Sequence, residues 1–453
     1  MVGLTGCRVL IVDDDEDEVL DLVRALWKKR IPALYLNPSD LDSIERPFGK
    51  LTGIRLAFLD MDIIGGGVDS KSKVSALANF LRNVVDVSNG PYVAVAWTKH
   101  TWLVQEMDSY IFSVKDVAKP IALVTIAKDE CRSPADGVFD LAALSARIDE
   151  QIQAAGPLRL LQAWEQCSIQ AASEVVGELS AIASDTRTVP ADWRQAWRQN
   201  LLRVMHTCGK EFVGEPGMSG GAAAYKAFCH SLIPLHADKL ERGVSAPDPD
   251  LSAITGDLLD EESKADCGPE AKARINSMLH CSFDDLGSPQ AGSVYLTKSE
   301  QGLSSLLPDV GVTIRSLIAK GQRKAEEYEE VVLEASSKVT PVLVEASPSC
   351  DHVQGRLIVP RLIGGFIAPA EVAKLFKSSR PASFWELGPL WLSVDGKESA
   401  TYALVLNCLL VTTCEFPKLR ALTAIFRIRS QAFSTLQACF ASHAARPGML
   451  LLR

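Results

Sequence analysis

The chain is 453 residues long, 47% apolar and 23% charged, with a formal net charge of −9. That length accommodates two to four domains, each with its own core. The acidic balance argues against a broad nucleic-acid surface, which needs a basic face, and no run approaches the roughly 18 uncharged apolar residues of a membrane span.

Residues 8–12, RVLIV, read as a strand buried on both faces. Asp15 to Arg30 follows with Val19, Leu22, Val23, Leu26 and Trp27 at helical spacing. A weak second strand lies in IPALYL, then a short helix from Pro38 to Ile44. IRLAFLD (54–60) is the next strand, followed by a Gly65-Gly66-Gly67 loop and a helix from Ser70 to Val87. PYVAVAW (91–97) is a fourth strand, Trp102 to Val114 a further helix, and PIALVTIA (120–127) a fifth strand. Five units in this rhythm predict a flavodoxin-like, doubly wound α/β domain over residues 1–135. Its parallel five-stranded sheet would carry helices on both faces.

From Phe139 the strand signal stops. LAALSARIDEQI and LLQAWEQCSIQAASEVVGELSAI are helical patterns separated at Gly156-Pro157, and further helices are expected at 191–209, 221–242, 269–280 and 313–338. Residues 136–338 therefore read as an all-α middle region. Beyond them, TPVLVEA, RLIVPRLIGGFI, LWLSV, YALVLNCLLVT and TAIFRIR are strand-like runs broken by Pro, Gly and Asp, with a last helix from Gln431 to Ala445. Residues 339–453 are thus expected to form a mostly β C-terminal domain, in shape a small barrel. The eleven cysteines are scattered rather than paired, and MVGLTGCRVLIVDDD lacks a basic start and a cleavage site. Both features predict a cytoplasmic protein with reduced thiols.

In an open parallel sheet, function collects at the carboxyl ends of the strands. The first strand ends in Asp13-Asp14, the third in Asp60 with Asp62 just beyond, the fourth in Thr98 and the fifth in Lys128. Acids, a hydroxyl and an ammonium would therefore converge on one rim. Carboxylate oxygens suit Mg²⁺, and a cation lets several carboxylates stay ionised together. A central carboxylate can then act as a nucleophile on phosphorus, with phosphoryl charge offset by the metal, Lys128 and Thr98.

VDDD, the strand-ending LAFLDMD, then WT and a strand-ending lysine together resemble the response-regulator receiver family over roughly residues 5–135. By that resemblance Asp13 and Asp14 would hold Mg²⁺, and Asp60 would be both phosphoacceptor and ligand. Asp62 would supply a ligating backbone carbonyl, and Thr98 and Lys128 would contact phosphoryl oxygens. Asp15 to Glu18 would sit on the first turn of the following helix, where unpaired amides and the helix dipole favour negative charge. The resemblance further implies a signalling protein served by a histidine kinase or related ATPase, with no enzymatic activity beyond its own phosphorylation and dephosphorylation. Residues 136–453 would bind a protein partner. The chain departs from the family where Asp129 follows Lys128 in place of proline, and where Thr125 replaces a common aromatic switch residue. Its subgroup resemblance is to divergent receivers in bacterial gene neighbourhoods concerned with conflict and phage defence.

Two other readings share these residues. Asp60-Met61-Asp62 after an apolar strand also resembles the nucleophile motif of haloacid-dehalogenase-type phosphatases, with Asp60 attacking and Asp62 as acid/base. An acid pair placed before the nucleophile runs against that family's motif order. A pseudo-receiver would keep the fold as a docking surface and never take a phosphoryl group. Farther on, Cys350-Asp351-His352 invites a zinc or thiol-nucleophile reading, with Cys408, Cys414 or His443 as further ligands. Adjacent ligands rarely wrap one tetrahedral ion, so a turn capped by Asp351 is the expectation. His206, His230, His236 and His280 lack paired ligand spacing and read as ordinary packed or surface histidines.

Overall fold

The computed structural model describes residues 8–28, 30–40, 49–64, 68–132, parts of 140–150, 157–184, 192–214, 218–245, 266–284, 286–297, 310–321, 324–353, 357–377 and 381–444. The chain forms two compact units, Met1–Val175 with Leu235–Lys264, and Val176–Pro234 with Ala265–Arg453.

In the first unit, strands β1 (Val9–Val12), β2 (Ala33–Leu36), β3 (Leu56–Leu59), β4 (Val93–Thr98) and β5 (Ala122–Ala127) form one sheet. Its order is β2-β1-β3-β4-β5 and every pairing is parallel. Helices α1 (Glu16–Lys28), α2 (Ser70–Val84) and α3 (Val104–Ser113) connect the strands. Successive strand residues point to opposite faces. Leu10, Val12, Ala57, Leu59, Ala94 and Ala96 pack with Leu77, Leu81, Met107 and Ile111 of α2 and α3. Val9, Ile11, Phe58, Val95 and Trp97 pack instead with Val19, Leu22 and Leu26 of α1. Coverage of both faces explains why these strands are continuous apolar runs. The sheet is the flavodoxin-like one expected, and chain order reverses between β1 and β3, where such sheets open a crevice.

Helix α4 (Pro157–Ser184) begins against this sheet. Leu158 joins the α1-side core. Glu165 accepts hydrogen bonds from Arg55 Nη2 at 2.6 Å and Nε at 3.0 Å, and it also pairs with Arg8. Both arginines precede strands, so the helix is fastened at the sheet's amino edge, away from the crevice.

The middle of the chain is helical, as expected. α4 is followed by α5 (Trp193–Val213), α6 (Gly221–Ser245), α7 (Pro269–His280), α8 (Val310–Leu317) and α9 (Ala325–Lys338). LAALSARIDEQI lies largely outside the described residues. The single helix expected over 313–338 is two. Between them Ile318 bridges Phe376, and Gly321 takes a left-handed φ of 54° that a side chain would disfavour.

The second unit carries an antiparallel half-barrel. Strands β6 (Cys281–Ser282), β7 (Ser293–Leu296), β8 (Thr340–Glu345), β9 (Arg361–Pro369), β10 (Phe384–Leu392), β11 (Ala400–Thr413) and β12 (Thr423–Ile428) run in the order β10-β11-β9-β8-β7-β12-β6. The sheet stays open at β10 and β6 rather than closing into a small barrel. β6 and β7 come from before residue 339, within the stretch read as helical; strands of two and four residues leave too little alternation to notice. Helix α11 (Ser430–Ala444) lays Phe433 and Leu436 against Val342, Val344, Leu404 and Phe426. On the other face, Ile314, Leu317 and Val332 of α8 and α9 meet Phe366 and Val405. Gly365 permits β9 to approach β11 at a register shift, because a Cβ there would stand 2.1 Å from the Val405 carbonyl oxygen.

Candidate functional site

Four strand ends build the site. Asp13 directly follows β1 and Asp60 directly follows β3, and the Asp60 amide donates to the Val12 carbonyl at 2.8 Å, which holds the two side by side. Thr98 closes β4. Lys128 follows β5 and opens a short 3₁₀ turn through Cys131.

Lys128 is 1% exposed and its Nζ is shared by three carboxylates. It donates to Asp13 Oδ2 at 2.8 Å and to Asp60 Oδ2 at 2.6 Å, and lies 2.8 Å from Glu18 Oε2. The other Asp60 oxygen, Oδ1, accepts from the Thr98 hydroxyl at 3.1 Å and from the Asp62 amide at 3.0 Å. The His100 amide donates to Thr98 Oγ1 at 3.0 Å, which orients that hydroxyl toward Asp60. Asp13 Oδ1 accepts from the Asp15 amide at 2.9 Å. Asp60 is therefore gripped at both oxygens.

One oxygen from each of Asp13, Asp14 and Asp60 lies within 4.8 Å of the others, and this is the metal-type cluster among the described residues. Asp14 is exposed while Asp13 and Asp60 are buried. Three hard carboxylate donors with one side open to solvent fit a divalent cation that keeps part of its hydration shell.

The charges are unevenly settled. Burial pushes the Asp13 carboxyl up to about 6, because an ammonium divided among three acids offsets only part of the desolvation. Burial also raises Asp14. For Glu18 the burial effect is outweighed by hydrogen bonds from Lys128 and Lys99, and its carboxyl is held down at about 2. Burial alone would lower Lys128, yet the charges of Asp60 and Asp13 hold its ammonium above the usual lysine range.

The site residues read from the sequence meet as follows. Asp13, Asp14, Asp60, Thr98 and Lys128 converge on one rim. Asp62 stands beside them, but its side chain turns to Lys73 and to His100 Nε2 at 3.3 Å. Asp62 Oδ1 and His100 Nδ1 are buried without a hydrogen-bond partner among the described residues.

Glu18 sits on the first turn of α1, as expected, but its role goes beyond the helix dipole: it is 6% exposed and binds Lys128, Lys99 at 2.6 Å and Arg132 at 2.7 Å. A signal was present: Glu18 stands four residues before Leu22, on the helix face that packs against the sheet. Lys73, Lys99 and Arg132 carried no such signal, since each is brought in by a loop or helix after the strand ends.

In the second unit, Cys350-Asp351-His352 lies in a short helix, α10 (Ser349–Val353), rather than a turn. Nothing is described of the Cys350 side chain. His352 Nε2 is 2.5 Å from Glu345 Oε2, and among the described residues it is not gathered with the other candidate ligands into a metal-type group. Cys408 Sγ faces Cys439 Sγ at 3.5 Å, and His443 Nε2 is 2.6 Å from the Ala382 carbonyl.

No helix among the described residues is long and apolar enough to cross a membrane. No protein-family model matches the chain, and no curated protein matches it. The parallel five-stranded architecture and the Asp13/Asp14/Asp60 group are compatible with a receiver-like fold.

Proposed function

We propose that the N-terminal domain is a phosphorylation switch in which Asp60 accepts a phosphoryl group, with Mg²⁺ held by Asp13, Asp14 and Asp60. The observation that carries this reading is the placement of Lys128 Nζ between Asp13 and Asp60, with the Thr98 hydroxyl on the opposite Asp60 oxygen. A carboxylate so held can attack phosphorus, forming a new O–P bond as the bond to the donor's nitrogen or oxygen breaks. Lys128 and Thr98 then lie where charge accumulates on the transferred group. When bound, the cation supplies further charge neutralisation.

The donor in this reading is a histidine kinase or related ATPase in the bacterial cytoplasm. Residues 136–453 are the output, binding a protein partner according to the state of Asp60, in a phage-defence setting. The chain turns over no separate substrate. Mass spectrometry after incubation with acetyl phosphate and Mg²⁺ tests the core of the proposal. A single phosphoryl addition is expected on wild type and none on Asp60→Asn; labelling retained in that variant refutes the assignment.

One observation favours a second reading, a pseudo-receiver that docks a partner without phosphorylation. All three acids around Lys128 already satisfy its ammonium, so an incoming phosphoryl group must displace one of them. Absence of modification, with partner capture equal in wild type and Asp60→Asn, would select it.

A further inference from the structure

The second unit contains a cavity of about 730 Å³ whose wall combines the ends of α5 and α6 with the carboxyl end of β12 and the adjoining edge strand β6. Its charge is opposite to that of the chain. Lys226, His230, His352, Arg427 and Arg429 line it, against Asp284 as the one acid of the lining. Arg427 and Arg429 are two apart along an extended run, so they share a face while Phe426 and Ile428 turn into the core.

These cations are not used up internally. Among the described residues, no carboxylate lies within ion-pair distance of Lys226, Arg427 or Arg429, whereas Lys128, Arg55, Arg8 and Arg315 all have one. Their neutral hydrogen bonds are positional: Arg427 Nη1 donates to Gln290 and Arg429 Nε to the Cys281 carbonyl at 2.9 Å. The remaining guanidinium N–H groups are left for a ligand.

His352 is fixed on the same wall. Glu345 is fully buried; its Oε1 accepts the Ser347 amide at 3.0 Å and its Oε2 takes His352 Nε2. A carboxylate accepts the proton on Nε2, and Nδ1 has no partner among the described residues. A buried acid that orients a histidine toward a cation-lined cavity is a built arrangement, not a chance surface patch.

We propose that this cavity binds a phosphate-bearing small molecule of nucleotide size, with Arg427 and Arg429 on its anionic part and Lys226 and His352 at its sides. The volume lies within the range of small-ligand pockets. Paired guanidinium groups on one face suit phosphate oxygens better than a single carboxylate would. This site is separate from the Asp60 rim and does not depend on that domain's chemistry.

The test is calorimetric titration of the full chain with inorganic pyrophosphate and, in parallel, with ATP, both in EDTA so that no divalent cation supports binding at the acidic rim. Saturable one-to-one binding is expected, equal in wild type and Asp60→Asn. Arg427→Gln with Arg429→Gln should weaken it by about tenfold or more, the scale of one or two charge-assisted hydrogen bonds. Lys226→Glu, on an exposed helix position, should weaken it without touching the fold and keeps the test valid if the arginine variant unfolds. Tighter binding of ATP than of pyrophosphate would place a base in the cavity; equal binding would assign the site to the phosphates alone. Absence of saturation by either probe, binding unchanged in Lys226→Glu, or retention only on a polyanion such as heparin would overturn the proposal.

Discussion

Replacing Lys128 with Met keeps the side-chain length and removes the one ammonium that Asp13, Asp60 and Glu18 share. Their side chains are 0%, 12% and 8% exposed, so the residual negative charge is poorly solvated. Breaking a buried pair by removing one partner costs about 3–5 kcal/mol. Hydrogen exchange of peptides covering β1 and β3 should accordingly speed up by roughly a hundredfold to a thousandfold near pH 7.5. Two conditions should return much of the loss. Acidification to about pH 5 protonates Asp13, whose carboxyl already sits at about 6 in the wild type, and millimolar Mg²⁺ replaces the missing positive charge. A slowdown under both conditions, after correction for the intrinsic pH dependence of amide exchange, is the expected result. If exchange in the variant is equally fast at both pH values and indifferent to Mg²⁺, the damage is lost packing, and the electrostatic account of this rim is wrong.

Four further outcomes follow from the structure. Proton and cation compete for Asp13, so Mg²⁺ affinity measured by titration should fall about tenfold between pH 7.5 and pH 5; a flat profile would remove Asp13 from the ligand set. The stability contributions of the two buried acids run in opposite senses. Asp13, raised from 3.8 to about 6, contributes fully below 3.8 and loses that contribution as pH rises through 6, whereas Glu18, lowered from 4.5 to about 2, contributes above 4.5 and loses it as pH falls toward 2. Glu165→Gln should weaken the fastening of α4 to Arg55 and Arg8 by about 1–3 kcal/mol, read as faster exchange in the first turns of that helix alone. Gly365→Ala should destabilise the half-barrel by about 3 kcal/mol or more, since the new methyl meets backbone rather than a movable side chain; a melting curve unchanged from wild type would contradict the close approach of β9 and β11.

The parallel sheet was legible because its strands are buried on both faces and its helices show a clear apolar stripe, two signals that need no tertiary information. VLIV, LAFL and VAVAW are each apolar throughout, and Asp13, Asp60 and Thr98 are marked by the abrupt polarity at their ends. The half-barrel was less legible. β6 is two residues long, and β10 contains Glu386 and Gly388 within FWELGPLWL, so alternation is blurred where a strand bends or bulges. The division of helix 313–338 depended on Ile318 pairing with Phe376, nearly sixty residues away, which no local pattern reveals. Glu345 escaped notice for a related reason. It ends an apolar strand and reads as a solvated boundary, yet it is buried because His352 and the Ser347 amide satisfy it.

Glu18 changes how the acidic rim should be understood. Counting only Asp13, Asp14, Asp60 and Lys128 leaves a site with excess negative charge and one cation wholly committed to it. Adding Glu18 brings Lys99 and Arg132 as well, so Glu18 keeps two cationic partners even when Lys128 turns away. Asp13 has no such reserve: its only basic side-chain partner among the described residues is Lys128. On the phosphorylation reading, the contact that yields to an incoming phosphoryl group is therefore the one between Lys128 and Glu18, because its loss leaves no buried charge unpaired. The first turn of α1, where Glu18 sits, is then the segment whose contacts depend most directly on what occupies Asp60. That links the chemistry of the β3 end to the position of a helix through a single shared ammonium.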